Sequence, residues 1–264
     1  MSSPRQRLGA VAGIAAAIIL HATAAFAADA DAGIIAPTGK LRAALYPGTP
    51  TSIVDPKETA PRGVGYELGK ELARRLGVPY APVVYAKNAD VQAAMKAGDA
   101  DVAFTNASPA RQKEMDFGQP YLLIELGYLV PAASEITSPA GIDAKGHRIG
   151  VVVGSTSEQT LSHTLKDAEV VRAATNQEGA ELVAAGRIDA FATNKATLFE
   201  LTERVPGVKV LPGRWGEERH SIGIPKGRDQ AVPYIRAFTA DVLAQGVVKA
   251  AMDRAGLKGA QPAQ

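Results

Sequence analysis

One phrase occurs twice in this chain, and its repetition constrains the fold more than any other feature. AGDADVAFTN at residues 97–106 returns as AGRIDAFATN at residues 185–194. Each copy has the pattern of a helix end, a glycine that stops the helix, and a short apolar strand that closes on Thr-Asn. Strands this apolar are typical of buried positions in a parallel sheet. A long period that occurs only twice therefore predicts two similar lobes rather than a solenoid.

The ends of the two repeated strands are candidate binding positions. In open α/β sheets, ligands bind beyond the carboxyl ends of the strands. The repeats end on Thr105-Asn106 and on Thr193-Asn194, so each strand offers a hydroxyl and an amide. We expect both pairs to face one cleft. The alternative is chance, since Ala-Gly-x-x-Asp is a common helix-to-strand turn.

Residues 1–27 have the pattern of a secretory signal peptide. Arg5 and Arg7 precede a charge-free apolar run at residues 8–20, and a small-x-small motif ends at Ala27. A membrane anchor is the alternative, but it needs roughly 20 apolar residues, more than this run provides. We therefore expect cleavage after Ala27 and a periplasmic mature protein.

The composition of the mature chain excludes several classes of function. Removal of the signal peptide takes away two arginines and no acid, leaving 27 basic and 27 acidic residues. This balance argues against nucleic acid as a partner. The chain has no cysteine, which excludes disulfides, thiolate metal sites and the lipid-bearing cysteine of a lipoprotein. His147, His163 and His220 lack metal-ligand spacing, so we expect no metal and no cofactor.

Strand and helix patterns alternate along the mature chain, break in the Ser/Pro/Gly-rich residues 131–146, and then resume. The predicted fold class is α/β, with two Rossmann-like lobes joined by a two-strand hinge. Closure of such a hinge can trap a ligand. The predicted domains are lobe 1 at residues 34–123 plus 222–264 and lobe 2 at residues 124–221, with crossings near 123–125 and 219–222 and one long helix over 232–255 packed on lobe 1.

Several stretches, in order, resemble a known family. They are RGVGYELGKELARRLGV, AGDADVAFTNASPARQKEMDFGQPYL, RIGVVVGSTSEQTL, GRIDAFATN and SIGIPKG. They resemble the type 2 periplasmic solute-binding proteins of ABC importers, in particular the amino-acid-binding family 3. The resemblance implies capture of a small anionic solute, an amino acid or another carboxylate, between two lobes. It also implies a monomer that delivers this solute to a permease in the inner membrane.

Arg111 is the first candidate ligand-binding residue. Ser108 has the pattern of an N-cap, with Pro109 at the first helical position, so Arg111 falls in the first turn beside the strand end that carries Thr105. The planar donors of a guanidinium match a carboxylate bidentately.

By the resemblance, Arg111 matches the family's arginine that binds the ligand carboxylate, with Thr105 or Asn106 near a hydroxyl position. The segment between Thr105 and Arg111 is shorter than in typical amino-acid binders. The alternative is a surface arginine paired with Glu114 or Asp116, which contributes at most about 1 kcal/mol.

Residues 154–158 (GSTSE) are the second candidate. Ser155 and Glu158 fit a capping box, which leaves the amides of Thr156 and Ser157 free at a positive helix end that suits an anion. The resemblance implies that this turn, with Ser155 and Thr156, contacts the same carboxylate. An ordinary helix cap is the alternative.

Asn194 departs from the family pattern, in which this residue is commonly an aspartate that pairs with the ligand's α-ammonium. A neutral amide followed by Lys195 cannot offset the burial of an ammonium group. Glu67 and Glu125 are possible replacements, and Glu125 is preferred because it lies at an expected crossing. Otherwise the ligand is an anion without an amine.

Tyr46 is placed to stack on a ligand, although a tyrosine at a strand end also packs as ordinary core. The expected function is binding rather than catalysis. The alternative is a periplasmic enzyme on the same scaffold, similar to a cyclic-acid dehydratase, with Glu125 as its acid or base. A sensor domain is a third class, disfavoured because no membrane segment follows before Gln264.

Overall fold

The computed structural model describes residues 31–47 and 49–264. The predicted signal peptide, with its cleavage after Ala27, lies outside these residues. No helix within the described ranges combines the length and apolar character needed to cross a bilayer.

The described chain alternates strands and helices, as the sequence pattern predicts. The strands are β1 (Leu41–Leu45), β2 (Tyr80–Val84), β3 (Val102–Asn106), β4 (Met115–Pro131), β5 (Arg148–Val152), β6 (Glu169–Ala173), β7 (Ala190–Asn194), β8 (Val208–Val210), β9 (Gly216–Pro225) and β10 (Ala260–Pro262). The helices are α1 (Val64–Leu76), α2 (Asn88–Ala97), α3 (Pro109–Gln112), α4 (Thr156–Thr164), α5 (Asn176–Ala184), α6 (Lys195–Arg204), α7 (Val232–Ala244) and α8 (Val247–Arg254).

The sheet follows the order β2-β1-β3-β9-β4-β7-β5-β6, with β8 and β10 also paired to β4. The first half of this order forms lobe 1 and the second half forms lobe 2, so the predicted α/β architecture of two lobes is confirmed. The repeated strands β3 and β7 are buried, as expected. Each is parallel to one neighbour, β1 or β5, and antiparallel to the other, β9 or β4. The sheet is therefore mixed rather than wholly parallel.

Two long strands, β4 and β9, connect the lobes. β4 pairs with β10 from Leu122 to Ile124 and with β7 from Leu126 onward. β9 pairs with β3 at His220 and with the lobe-crossing part of β4 at Gly216. These changes of partner put the two crossings side by side, which is the arrangement of a two-strand hinge.

The predicted single helix over residues 232–255 is wrong. Gly246 adopts a left-handed conformation, with φ of 70°, and separates α7 from α8. The apolar period continues across this glycine, which is why the pattern suggested one helix. Ile235 and Phe238 of α7 nevertheless pack into the core of lobe 1, as expected for this segment.

The aspartates of the repeated phrase have the same role in both lobes. Asp101 accepts hydrogen bonds from the backbone N–H and the guanidinium of Arg42 at the start of β1. Asp189 accepts the corresponding bonds from Arg148 at the start of β5. Arg42 also donates to the carbonyl of Gly98, and Arg148 donates to the carbonyl of Gly186. These are the glycines that stop the helix before each aspartate. The repetition therefore reflects a shared way of fixing two neighbouring strands.

Candidate functional site

A cleft of about 450 Å³ lies between the lobes at the carboxyl ends of β1, β3, β5 and β7. The cleft brings together six of the eight predicted site residues: Tyr46, Thr105, Arg111, Ser155, Thr156 and Asn194. It also contains Thr193 and His220, as the repeated strand end and the expected crossing suggested, and residues that the sequence did not single out, among them Thr49, Thr51, Ser52, Thr197 and Glu218. Most of the polar groups are hydroxyls.

Arg111 is held rigidly at the floor of this cleft. The hydroxyl of Ser108 accepts from the Arg111 backbone N–H, and Pro109 is the first residue of α3, so the predicted cap is confirmed. Only 8% of Arg111 is exposed. Its Nη1 donates to Thr105 Oγ1 at 2.7 Å and to the carbonyl of Asn106 at 3.3 Å.

The alternative of a surface arginine is wrong. Glu114 pairs with Lys96, and Asp116 pairs with Lys226. Burial lowers the pKa of the Arg111 guanidinium, and the nearby Glu218 carboxylate acts in the opposite direction. The group stays cationic because arginine holds its proton even in buried sites. A desolvated cation in a cleft is a strong site for an anionic group.

The N-terminus of α4 faces the cleft from lobe 2. The hydroxyl of Ser155 accepts from the backbone N–H of Glu158 at 3.0 Å. The carboxylate of Glu158 accepts from the backbone N–H of Gly154 at 2.6 Å, one residue earlier than in the expected capping box. First-turn amides have no carbonyl one turn before them, so those of Thr156 and Ser157 point out of the positive end of the helix.

Asn106 links the lobes instead of lining the cleft. Its Nδ2 donates to Thr156 Oγ1 of lobe 2 at 3.1 Å, and its Oδ1 accepts from the backbone N–H of Arg219 in β9 at 3.1 Å. The amide therefore holds the two lobes together next to the hinge.

Asn106→Ala and Thr156→Val should each shift the ligand-free protein toward a more open form, because each removes the bond between the lobes. A hydrogen bond contributes about 1 kcal/mol net, which corresponds to roughly a fivefold change in the ratio of closed to open molecules. The chain has no cysteine, so spin labels at Asp90→Cys and Ser162→Cys would report the distance between the lobes by double electron–electron resonance.

The double variant should open little further than the more open single variant, since both changes remove the same bond between the lobes, from Asn106 to Thr156. Fully additive effects would show that the two residues do not act together.

Asn194 and Tyr46 both lie at the cleft, in partly structural roles. Asn194 Oδ1 accepts from the backbone N–H of Thr197 at 3.0 Å and so caps α6. Tyr46 packs on the cluster around Ala44 and Val91 while it also lines the cavity. Burial raises the pKa of the Tyr46 hydroxyl. Stacking of this ring on a ligand stays a prediction.

Glu125 does not reach the cleft, which corrects the expectation that it replaces an aspartate at Asn194. Its carboxylate accepts from Lys195 Nζ at 2.6 Å, and it lies in a separate depression with Arg214 and Glu217. Glu125 is directly opposite Glu217 in the β4–β9 pair, so the two side chains share a face. That face is the outer side of the hinge. Glu67 pairs with Arg254 and is also absent from the cleft.

Glu218 is the charged residue that the sequence analysis missed at this site, and it lies beside His220, which was expected near the crossing. Both are buried and line the cleft, and His220 Nε2 donates to Glu218 Oε2 at 3.1 Å. Burial acts to raise the pKa of Glu218, but the bond from His220, the charges of His220 and Arg111, and the Thr156 hydroxyl outweigh it and lower the pKa below its ordinary value.

The alternation of side chains along β9 could have identified this pair as facing inward. Residues 218 and 220 have the same parity as the apolar Ile222 and Ile224, which marks them as members of the inner face of β9. His220 was expected near the crossing, and it does lie at the cleft.

Comparisons with known proteins agree with this architecture. A family model described as bacterial extracellular solute-binding proteins, family 3, matches residues 41–255. The L-cystine-binding protein TcyJ of Escherichia coli (strain K12) is 23% identical over 195 residues, which is 73% of each chain. The ABC transporter glutamine-binding protein GlnH of Bacillus subtilis (strain 168) is 27% identical over 139 residues, 53% of this chain and 50% of that protein.

Solved structures share the fold at low sequence identity. AbpA, an amino acid ABC transporter substrate-binding protein from Streptococcus pneumoniae bound to L-arginine, has a TM-score of 0.74 at 20% identity, covering 84% of this chain and 96% of that one. The ancestral amino-acid-binding protein AncCDT-1, a precursor of cyclohexadienyl dehydratase, has a TM-score of 0.70 at 24% identity, covering 83% and 96%. The neighbours are type 2 periplasmic binding proteins.

Proposed function

Because the chain belongs to the bacterial extracellular solute-binding proteins, family 3, we propose that it captures a small solute with a carboxylate group and delivers it to the permease of an ABC importer. The solute is an amino acid or another carboxylate. Capture takes place between the lobes, and the closed form is what the permease receives.

One observation carries this proposal: Arg111 of lobe 1 and the N-terminus of α4 in lobe 2 line the same cleft. A guanidinium and free helix amides are both groups that bind carboxylates well. Because they come from different lobes, a carboxylate between them bridges the lobes and stabilises closure. Micromolar affinity corresponds to about −8 kcal/mol, which a few charge-assisted hydrogen bonds and cleft desolvation can supply.

The names of the relatives support the same class of ligand. TcyJ is named for L-cystine, GlnH for glutamine, and AbpA was solved with L-arginine. All three compounds carry a carboxylate. We propose that this chain shares that chemistry, that it is exported after cleavage at Ala27, and that it works as a monomer without a lipid anchor or cofactor.

A paired ligand screen tests the proposal. Native mass spectrometry of protein purified without refolding would first weigh any solute that remains bound. Calorimetry would then compare small carboxylates with their carboxamides, which keep the shape and lose the charge. We expect at least one carboxylate to bind at micromolar concentration and its carboxamide to bind at least 100-fold more weakly. Equal binding of the two compounds would contradict the proposed role of Arg111 and α4.

The structure favours binding over the enzymatic alternative. A dehydratase needs a proton donor aimed at its substrate. Glu125, the candidate for that role, faces the outer side of the hinge. The carboxyl group that does line the cleft, Glu218, has a lowered pKa and is therefore ionised at neutral pH. A carboxylate of this kind binds a cation better than it donates a proton.

A further inference from the structure

Glu218 is a charged group in the cleft that carboxylate binding does not use. Among the described residues that line the cleft, the other permanently charged side chains are Arg111 and Lys87, and Lys87 is exposed at the rim. Glu218 is 8% exposed. It is thus a buried anion facing the same space in which a solute would lie.

The geometry of β9 directs Glu218 inward. Side chains alternate along a strand, so Glu218 and His220 face the cleft while Glu217 and Arg219 face the opposite side. His220 donates one hydrogen bond to Oε2, and the nearby Thr156 hydroxyl helps to lower the pKa of the carboxyl group. An ionised carboxylate has about four acceptor sites, so these two partners leave acceptor capacity for a ligand.

The charges that line the cleft favour some carboxylate solutes over others. Among the described residues that line the cleft, Glu218 is the buried anion, and it faces both Arg111 and His220. A plain carboxylate would add a second buried negative charge next to Glu218. A solute that also carries a cationic group would add no net charge, because its own cation compensates its carboxylate. Buried charges are costly unless they are paired, so the second kind of solute is favoured. Asn194 cannot serve as the anion, because its amide is neutral and its oxygen caps α6.

We propose that Glu218, from the hinge strand β9, binds a cationic group of the solute and so makes the protein specific for carboxylic acids that carry an amine. The inference rests on the proposed function, since it requires that the carboxylate of the same solute lies at Arg111 and α4. It assigns to the hinge strand the acidic partner that is missing at Asn194.

Calorimetry with matched probes tests this inference. The probes are the protein L-amino acids and L-cystine, each compared with the carboxylic acid of the same skeleton that lacks the α-amine. We expect wild-type protein to bind at least one amino acid 100-fold or more tightly than its des-amino counterpart. Glu218→Gln should lose at least 30-fold in affinity for that amino acid and bind the des-amino acid no more weakly than before.

Two further variants separate specificity from folding. Glu217→Gln removes the neighbouring acid on the outer face and should leave both affinities unchanged. Glu218→Asp keeps the charge and should retain the preference for the amine, even if Glu218→Gln melts at a lower temperature.

The possible outcomes separate a failure of the proposed role of Glu218 from a failure of carboxylate capture itself. Unchanged amino-acid affinity in Glu218→Gln, or wild-type protein that prefers the des-amino acids, would overturn the inference and leave carboxylate capture standing. If wild-type protein bound neither member of any pair and no other carboxylate, the role of Glu218 and the proposed function would both be wrong.

Discussion

Arg111→Ala is expected to lower the affinity for the carboxylate found in the screen by at least 30-fold. Arg111 is buried in the cleft, and its Nη1 is already engaged by Thr105 and Asn106, so its position is fixed before a ligand arrives. Truncation of one partner of a buried, hydrogen-bonded charge pair costs about 2–5 kcal/mol, and 1.4 kcal/mol is tenfold. Calorimetric titration of the purified variant measures the loss.

Two controls make this result specific to the guanidinium. Arg219→Ala removes a cation that is 69% exposed on the outer face of β9, and it should leave the affinity unchanged. Arg111→Lys keeps the positive charge beside Glu218 but loses the planar pair of donors, so it should bind more weakly than wild type and more tightly than Arg111→Ala. Full affinity in Arg111→Ala would remove this residue from the site.

Asp101→Ala is expected to destabilise the protein more than any other substitution considered for this chain. Its side chain is fully buried and accepts from Arg42 at 2.7 Å and from Arg228 at 3.0 Å. Removal of the aspartate would leave two largely buried guanidinium groups without their anion, which costs about 3–5 kcal/mol. For a chain of this size that corresponds to a fall in melting temperature of roughly 6–20 °C.

The internal repeat supplies the matched control. Asp189 occupies the same place in lobe 2 and also accepts a backbone N–H, from Arg148, but its side chain is 34% exposed. Solvent screens this pair, so Asp189→Ala should cost only about 1–2 kcal/mol. Thermal unfolding followed by circular dichroism compares the two variants. Equal losses of stability in Asp101→Ala and Asp189→Ala would mean that burial does not explain the importance of Asp101.

Local signals in the sequence were sufficient for the helix ends and strand ends around the site. Ser108 with Pro109, and Ser155 with Glu158, predict two helix starts that the structure contains, because a cap depends on residues only three or four positions apart. The same local signals misled at Gly246, where an apolar period on both sides concealed a break between α7 and α8.

The pairing of charged residues across the chain could not be predicted in this way. Glu125 and Glu218 both lie near the predicted crossings, and they are adjacent in the sheet. Glu218 is opposite Ile124, one position away from Glu125. A shift of one residue moves a side chain to the other face of a sheet, so register alone decides which acid enters the cleft.

The class of fold, the two-lobe arrangement and the segments that carry Arg111 and Thr156 could be predicted from the sequence, because they follow from periodicity, glycine positions and caps within short windows. Only the tertiary structure shows that Glu218 rather than Glu125 lines the cleft and that Asn106 joins the lobes through Thr156. Those facts depend on strand register and on contacts between residues 50 or more positions apart, which no local pattern records.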